Sequence, residues 1–163
     1  MRSVRDGGPE GRSRINAKRR PTARRRAFWQ HPGLMSETTR ALGLSALLGT
    51  AGVMHFVRPQ FFDEIVPHRL PFPPRVWTYV SGVAELACAV AVARPATRKA
   101  GALASAAVFV AVFPANIQMA VDWRSRPARD RAAAYGRLPL QAPLVLWALK
   151  VRRDAARAGR SAT

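Results

Sequence analysis

The sequence predicts an all-α integral membrane protein, a four-helix bundle with both termini on the same side of the membrane. One observation is a series of apolar runs, the longest at residues 41–57, 76–93 and 100–121; a helix of about 20 apolar residues crosses the hydrocarbon core of a bilayer. The other is the placement of charge. The 163-residue chain has 27 Lys and Arg against 9 Asp and Glu, and beyond the N-terminal region these cations flank the apolar runs, as in helices that leave a bilayer.

The N-terminal region, residues 1–34, is rich in Arg, Gly, Pro and Ser without apolar periodicity, which predicts a disordered basic tail. Such a tail is attracted to anionic headgroups; alternatively, translation starts at Met35. Arg25-Arg26-Ala27-Phe28 has a faint likeness to a twin-arginine export signal, but Glu37 and Arg40 precede the apolar run and no cleavage site follows it. DNA or RNA binding by the tail is a disfavoured alternative, because long interior runs carry almost no cations.

The first predicted helix, 41–57, has small residues Ala41, Ser45 and Gly49 at a spacing of four, a pattern that lets a neighbouring helix approach closely. Residues 59–74 follow with five prolines and three phenylalanines. They cannot form a continuous helix, so they are expected to cap one end of the bundle in the membrane interface, with a short helical turn near its start.

The second predicted helix, 76–93, carries Glu85 near mid-depth, where a carboxylate facing lipid would be costly. The third, 100–121, contains Pro114, which a membrane helix tolerates by kinking and freeing a carbonyl one turn earlier. Residues 122–136 are polar and are expected to form a loop or a short interfacial helix.

The fourth predicted helix covers 134–151, but its apolar run, 138–151, is only 14 residues long. It is expected to span the membrane by including the residues that precede this run. These four helices make up a transmembrane domain at 41–151, followed by a basic C-terminal tail at 152–163. The chain through Arg40, the hinge at 94–99 and the C-terminal end from Lys150 hold 19 of the cations, and the two opposite loops hold 8, which predicts cytoplasmic termini. Without residues 1–34 the bias nearly vanishes.

Polar residues of the four helices are predicted to converge. At 1.5 Å per residue, five of them lie in the half of the bilayer that meets the longer loops or at its middle. Arg137 lies at the mouth of the last helix and is the natural cationic partner of Glu85 if a side chain or water bridges the remaining depth. This candidate polar cavity consists of His55, Glu85, Asn116, Gln118, Arg137 and Gln141.

The same residues permit a structural interpretation, in which they hydrogen-bond to one another and hold the helices together. One histidine with one carboxylate falls short of a metal set, so no metal is predicted. The single cysteine, Cys88, allows no internal disulfide and is expected to pack as a small apolar residue. No P-loop, GxGxxG or GxSxG motif is present, and no catalytic residue is assigned.

A series of short segments, in this order, is similar to the DoxX-like family of small bacterial membrane proteins. The match covers about 41–151, and its segments are Gly52-Val53-Met54-His55-Phe56-Val57-Arg58-Pro59, Phe61-Phe62-Asp63-Glu64-Ile65-Val66-Pro67, Leu70-Pro71, Ser81-Gly82-Val83-Ala84-Glu85-Leu86, Pro95-Ala96-Thr97-Arg98, Phe113-Pro114-Ala115-Asn116 and Arg137-Leu138-Pro139-Leu140-Gln141. The resemblance implies a four-helix bundle in a bacterial plasma membrane. It also implies a link to redox biology, because relatives include subunits of a thiosulfate:quinone oxidoreductase.

Three functions compete on this basis. The first is a membrane subunit of a quinone- or thiol-redox system, with a redox partner protein and a quinone in the polar cavity; the chain would not be an enzyme on its own, and no motif specifies a quinone or a covalently bound cofactor. The second is a non-catalytic assembly protein that recruits a soluble partner through its loops. The third and weakest is a small-solute transporter, in which a homo-oligomer would enlarge the pathway.

Overall fold

The computed structural model describes residues 32–161, with side chains from residue 37, and within this part of the chain it contains helices and no strand. Most of the predicted N-terminal tail, residues 1–31, and the last two residues lie outside the described residues. The elements are α1 (Pro32–Val57), α2 (Pro59–Asp63), α3 (Pro74–Ala93), α4 (Arg98–Asp122), a 3-10 turn (Trp123–Ser125) and α5 (Ala128–Arg160).

Three helical segments are long and apolar enough to cross a membrane: Glu37–Val57, Pro74–Ala93 and Arg98–Ser125. Many of their large apolar side chains are exposed, among them Val83 and Val110, each 59% exposed. Exposed apolar side chains in such number are expected where lipid, not water, is the solvent. The chain is therefore a helical protein with the features of a multi-pass membrane protein.

Helices α1 and α5 extend beyond the ranges predicted from the apolar runs. α1 begins at Pro32 and α5 continues to Arg160. Arg40 and Asp154 explain part of this extension: the Arg40 guanidinium donates to the buried Asp154 carboxylate through Nη2 at 2.8 Å and Nε at 3.1 Å, and the Arg40 carbonyl accepts a hydrogen bond from Trp147. Contacts between the helices thus support turns whose own sequence is polar.

The start of α5 occupies most of residues 122–136, for which the sequence predicts a loop or a short interfacial helix. Residues 128–136 are helical, and Ala134 is fully buried in a small core with Ile65, Met119 and Trp123. This core lies at the end of the molecule where the loop between α2 and α3 is found. One buried alanine in a polar stretch hardly changes the local hydropathy. The hydropathy pattern therefore predicts a later start for this helix.

Small residues bring α1 against α3. Ser45 Oγ donates to the Ala89 carbonyl at 2.8 Å, and a Cβ on Gly49 would lie 3.8 Å from the Ala89 Cβ. These are two members of the spacing-four pattern in α1, and both lie against one residue of α3. The larger core, which includes Leu44, Leu48 and Val92, also draws side chains from α4 and α5.

Candidate functional site

Two glycines determine how closely α1 and α3 approach at the site. A Cβ on Gly52 would lie 2.8 Å from Leu86 Cγ and 3.0 Å from the Gly82 carbonyl oxygen, and a Cβ on Gly82 would lie 2.8 Å from the His55 Cβ. The two backbones therefore contact each other where a larger residue would hold them apart. His55 and Glu85 each follow one of these glycines by three residues, about one helical turn, so the contact places them side by side.

The His55 imidazole and the Glu85 carboxylate form a buried pair. Nδ1 of His55 lies 3.2 Å from Oε2 of Glu85, and the two side chains are 8% and 12% exposed. Nδ1 also lies 2.8 Å from the carbonyl oxygen of Ala51. Because that carbonyl can only accept, Nδ1 carries a hydrogen and donates it along the shorter contact.

The consequence for Glu85 is an unsatisfied oxygen. Oε2 is buried and receives no hydrogen bond, although it lies within ion-pair distance of the imidazole. The contact is thus electrostatic, since the one Nδ1 hydrogen points to Ala51. Buried carboxylate oxygens are nearly always hydrogen-bonded, and an unpaired one carries a desolvation cost. Glu85 Oε2 is therefore an acceptor without a donor among the described residues.

Helix α2 covers this pair with an aromatic layer. The Phe62 ring stacks on His55 at a centroid distance of 3.7 Å, and Phe61 packs edge-on against Phe62 and Trp123. The Arg137 guanidinium lies 5.7 Å from the Phe61 ring centroid. The proline-rich segment thus closes the site on the side of the longer loops.

Arg137 is not at ion-pair distance from Glu85, so the structure contains no direct pair between them within the described residues. Within the described part of the chain, the group at ion-pair distance from Glu85 is His55. Arg137 is near enough for its charge to act on Glu85, and its guanidinium lies over Phe61, which belongs to the aromatic layer. The close approach of α1 and α3 at Gly52 and Gly82 brings His55 to Glu85. The depth of each residue along its own helix does not predict this contact.

Asn116 and Gln141 form a separate group that ties α4 to α5. Asn116 Nδ2 donates to Gln141 Oε1 at 3.2 Å, and Gln141 Nε2 donates to the Phe109 carbonyl. Pro114 lies in the same stretch of α4; it has no N–H and disturbs the hydrogen bonds of the preceding turn. The carbonyl left without its helical donor is that of Val110, four residues before Pro114, and Gln141 donates to the neighbouring Phe109 carbonyl. The Asn116 and Gln141 amides thus have partners within the protein.

Gln118 lies outside both groups. Its Nε2 donates to Asp122 Oδ1 at 2.9 Å along the exposed end of α4. The two residues are four apart and therefore neighbours on the helix surface. The six predicted residues thus divide into the His55–Glu85 pair, Arg137 over the Phe61 ring, the hydrogen-bonded Asn116 and Gln141, and Gln118 at the exposed end of α4.

Asp63 anchors α2 and was not identified from the sequence. Its Oδ2 accepts from Arg75 Nε at 2.8 Å and its Oδ1 from Thr78 Oγ1 at 2.7 Å, and Thr78 is only 2% exposed. Glu64 pairs with Arg126 at 3.0 Å on the surface. The sequence signal for this anchor is a pair of acidic residues, Asp63 and Glu64, directly after Phe61 and Phe62 in a proline-rich segment.

Metal-ligating residues do not cluster in residues 32–161: no group of three His, Cys, Asp or Glu side chains is placed to hold an ion. Cys88 is buried with a free thiol.

No curated protein and no solved structure gives a match to the chain. The model of a family described as a domain of unknown function, DUF8561, matches residues 44–152. Because this match covers well over half of the chain, the protein belongs to the DUF8561 family.

Proposed function

We propose that this chain is a DoxX-like four-helix membrane bundle of the bacterial plasma membrane that binds a quinone headgroup at the His55–Glu85 pair. It acts as the membrane subunit of an oxidoreductase system whose redox centre lies in a partner protein. The observation that carries the proposal is Glu85 Oε2, a buried acceptor with no donor beside a histidine. The sequence resemblance to DoxX-like proteins supplies the class of ligand.

The contacts between helices support the bundle. Ser45 joins α1 to α3, Trp147 joins α5 to α1, and Asn116 joins α4 to α5; Gly101 of α4 packs on Ala91 of α3. With four crossings both termini lie on one side, and the excess of Lys and Arg on that side favours the cytoplasm.

The residues of the pair suit a quinone and its quinol. When bound, the quinone supplies two-electron, two-proton carrier chemistry. A quinol hydroxyl is a donor of the kind that Glu85 Oε2 lacks. A quinone carbonyl is an acceptor, and His55 can offer Nε2–H to it once the imidazole is protonated, because Nδ1 already holds its hydrogen for Ala51.

Each residue then has a defined task. Glu85 accepts a hydrogen bond and stabilises positive charge on His55 across 3.2 Å. His55 takes up or releases a proton at Nε2, because Nδ1 is held by Ala51. Phe62 fixes the imidazole plane by stacking, and the aromatic layer keeps water from competing for the buried carboxylate.

The test is quinone binding by Glu85→Gln, with Glu64→Gln as the matched control. Both variants replace one carboxylate by an amide near the same end of the molecule, but Glu64 is in an exposed surface ion pair. The full chain in lipid nanodiscs is labelled with a photoreactive short-chain quinone. We expect at least a tenfold loss of labelling in Glu85→Gln and wild-type labelling in Glu64→Gln. Equal labelling in both variants would refute the proposal.

A second candidate is an assembly protein that recruits an acidic soluble partner. The observation that favours it is the exposure of Arg124 in the 3-10 turn and of Arg129 and Arg131 in the first turn of α5, none of which is in an ion pair within residues 37–161. Replacing these three residues by Gln would then abolish reproducible crosslinks to a soluble protein in cells while leaving quinone labelling unchanged. Unaltered crosslinks would exclude this role for the segment.

A further inference from the structure

The outer surface of α3 contains a groove that the proposed quinone site does not use. Its cavity volume is about 540 Å³. It is lined by α3 side chains from Val83 to Ala91 and, at one end, by Arg94 and Thr97 of the hinge. Val83 and Val90 are more than half exposed, and Ala87 and Ala91, one turn apart, leave the space between the larger side chains. We refer to it as the α3 groove.

We propose that the α3 groove binds one acyl chain of an anionic phospholipid, whose phosphate pairs with Arg94. The inference is independent of quinone binding and rests only on the placement of α3 in a membrane. Its apolar part follows the helix axis, as an acyl chain does in a bilayer, and its polar end lies where the helix leaves the hydrocarbon.

The length of the groove matches one leaflet. From Val83 to Arg94 is eleven residues, about 16 Å along a helix at 1.5 Å per residue. The hydrocarbon core of a bilayer is about 30 Å thick, so one leaflet contributes roughly half of that. A chain lying in the groove therefore reaches from the bilayer centre, near Val83, to the headgroup level, near Arg94.

The charges at the hinge favour an anionic headgroup. The sequence has no Asp or Glu between Glu85 and Asp122. Arg98 is already engaged: it donates to the carbonyls of Val92 and Ala93 at the end of α3. Arg94 is exposed and has no ion pair within the described residues 37–161, so it is available to a phosphate, to which a guanidinium can bind in a bidentate manner.

The same cation argues against a second copy of the chain as the occupant. In a symmetric dimer with its axis along the membrane normal, equivalent residues meet at the same depth. A dimer formed through the α3 groove would place Arg94 of one copy close to Arg94 of the other, and two like charges near each other repel. An anionic lipid removes this cost, since it supplies the missing negative charge.

The experiment is native mass spectrometry of the full chain in detergent, titrated separately with phosphatidylglycerol and phosphatidylcholine of identical acyl chains. We expect the wild type to bind phosphatidylglycerol at least tenfold more tightly than phosphatidylcholine. Arg94→Gln should remove this preference, whereas Arg124→Gln, which replaces an exposed arginine in the opposite loop, should retain it. Ala87→Phe, which fills the groove from an exposed position, should lower the binding of both lipids.

Three results would overturn the proposal: equal wild-type affinity for the two lipids, unchanged binding in Ala87→Phe, or a dimer that Ala87→Phe dissociates, which would assign the groove to a second copy. Glu85→Gln should bind both lipids as the wild type does. A failure of quinone binding and a failure of lipid binding are therefore separate outcomes.

Discussion

The His55 Nδ1 atom lies 3.2 Å from Glu85 Oε2 but only 2.8 Å from the carbonyl oxygen of Ala51. Nδ1 thus carries one hydrogen with two acceptors in reach, and it donates this hydrogen to the Ala51 carbonyl. Glu85 retains a buried oxygen without a hydrogen bond. This arrangement distinguishes Glu85 from Asn116 and Gln141, whose amides are hydrogen-bonded within the protein, and it leads to different expectations for their substitution.

Glu85→Gln should leave the stability of the protein unchanged or raise it slightly. The Oε2 atom accepts no hydrogen bond, so the substitution removes a desolvated carboxylate without breaking one. Unfolding in a mixed-micelle SDS titration is the measurement. A loss of more than about 1 kcal/mol would mean that Glu85 serves mainly to hold helices together.

Gln141→Leu should behave in the opposite way. It removes the acceptor of Asn116 and the donor to the Phe109 carbonyl, leaving both without these partners in the stretch of α4 around Pro114. We expect a loss of about 1 kcal/mol, within the range found for hydrogen bonds between membrane helices. The same titration measures it. Combined with Asn116→Leu, the effects should be less than additive, because the two side chains share one bond.

Gly82→Ala should separate α1 from α3. The new Cβ would lie 2.7 Å from Phe56 Cε2 and 2.8 Å from the His55 Cβ, and such overpacking typically costs about 1–3 kcal/mol. Gly136→Ala is the matched control, because a Cβ there meets nothing within 4 Å; it should stabilise α5 by about 0.5–1 kcal/mol. Thermal unfolding of the two variants in nanodiscs compares them, and equal melting temperatures would contradict the close contact.

Asp63→Ala should loosen α2 over the candidate site. It removes the acceptor shared by Arg75 and the buried Thr78 hydroxyl, so the aromatic layer loses its link to α3. Hydrogen exchange of the backbone amides in Pro59–Asp63 should become at least tenfold faster, while exchange in the middle of α4 stays as in the wild type. Thr78→Val removes only one of the two bonds and should show a smaller increase. An unchanged rate in Asp63→Ala would show that α2 is held by its aromatic contacts alone.

The sequence by itself determined the helical class, the three membrane-length helices, the short helical turn after Pro59 and the polar character of Glu85 in an apolar helix. Each of these depends on local quantities: the length of an apolar run, the position of a proline, or the depth of a residue along its own helix. A single stretch of chain contains that information.

Only the tertiary structure decided which polar side chains meet. His55 rather than Arg137 lies at ion-pair distance from Glu85, because Gly52 and Gly82 let two backbones touch one turn away. Asn116 pairs with Gln141, and Asp154 with Arg40 at the opposite end of the molecule. These pairings depend on the rotation of each helix about its axis and on the distance between helix axes. Both are set by packing between segments that are distant in the sequence, so an apolar run does not predict them.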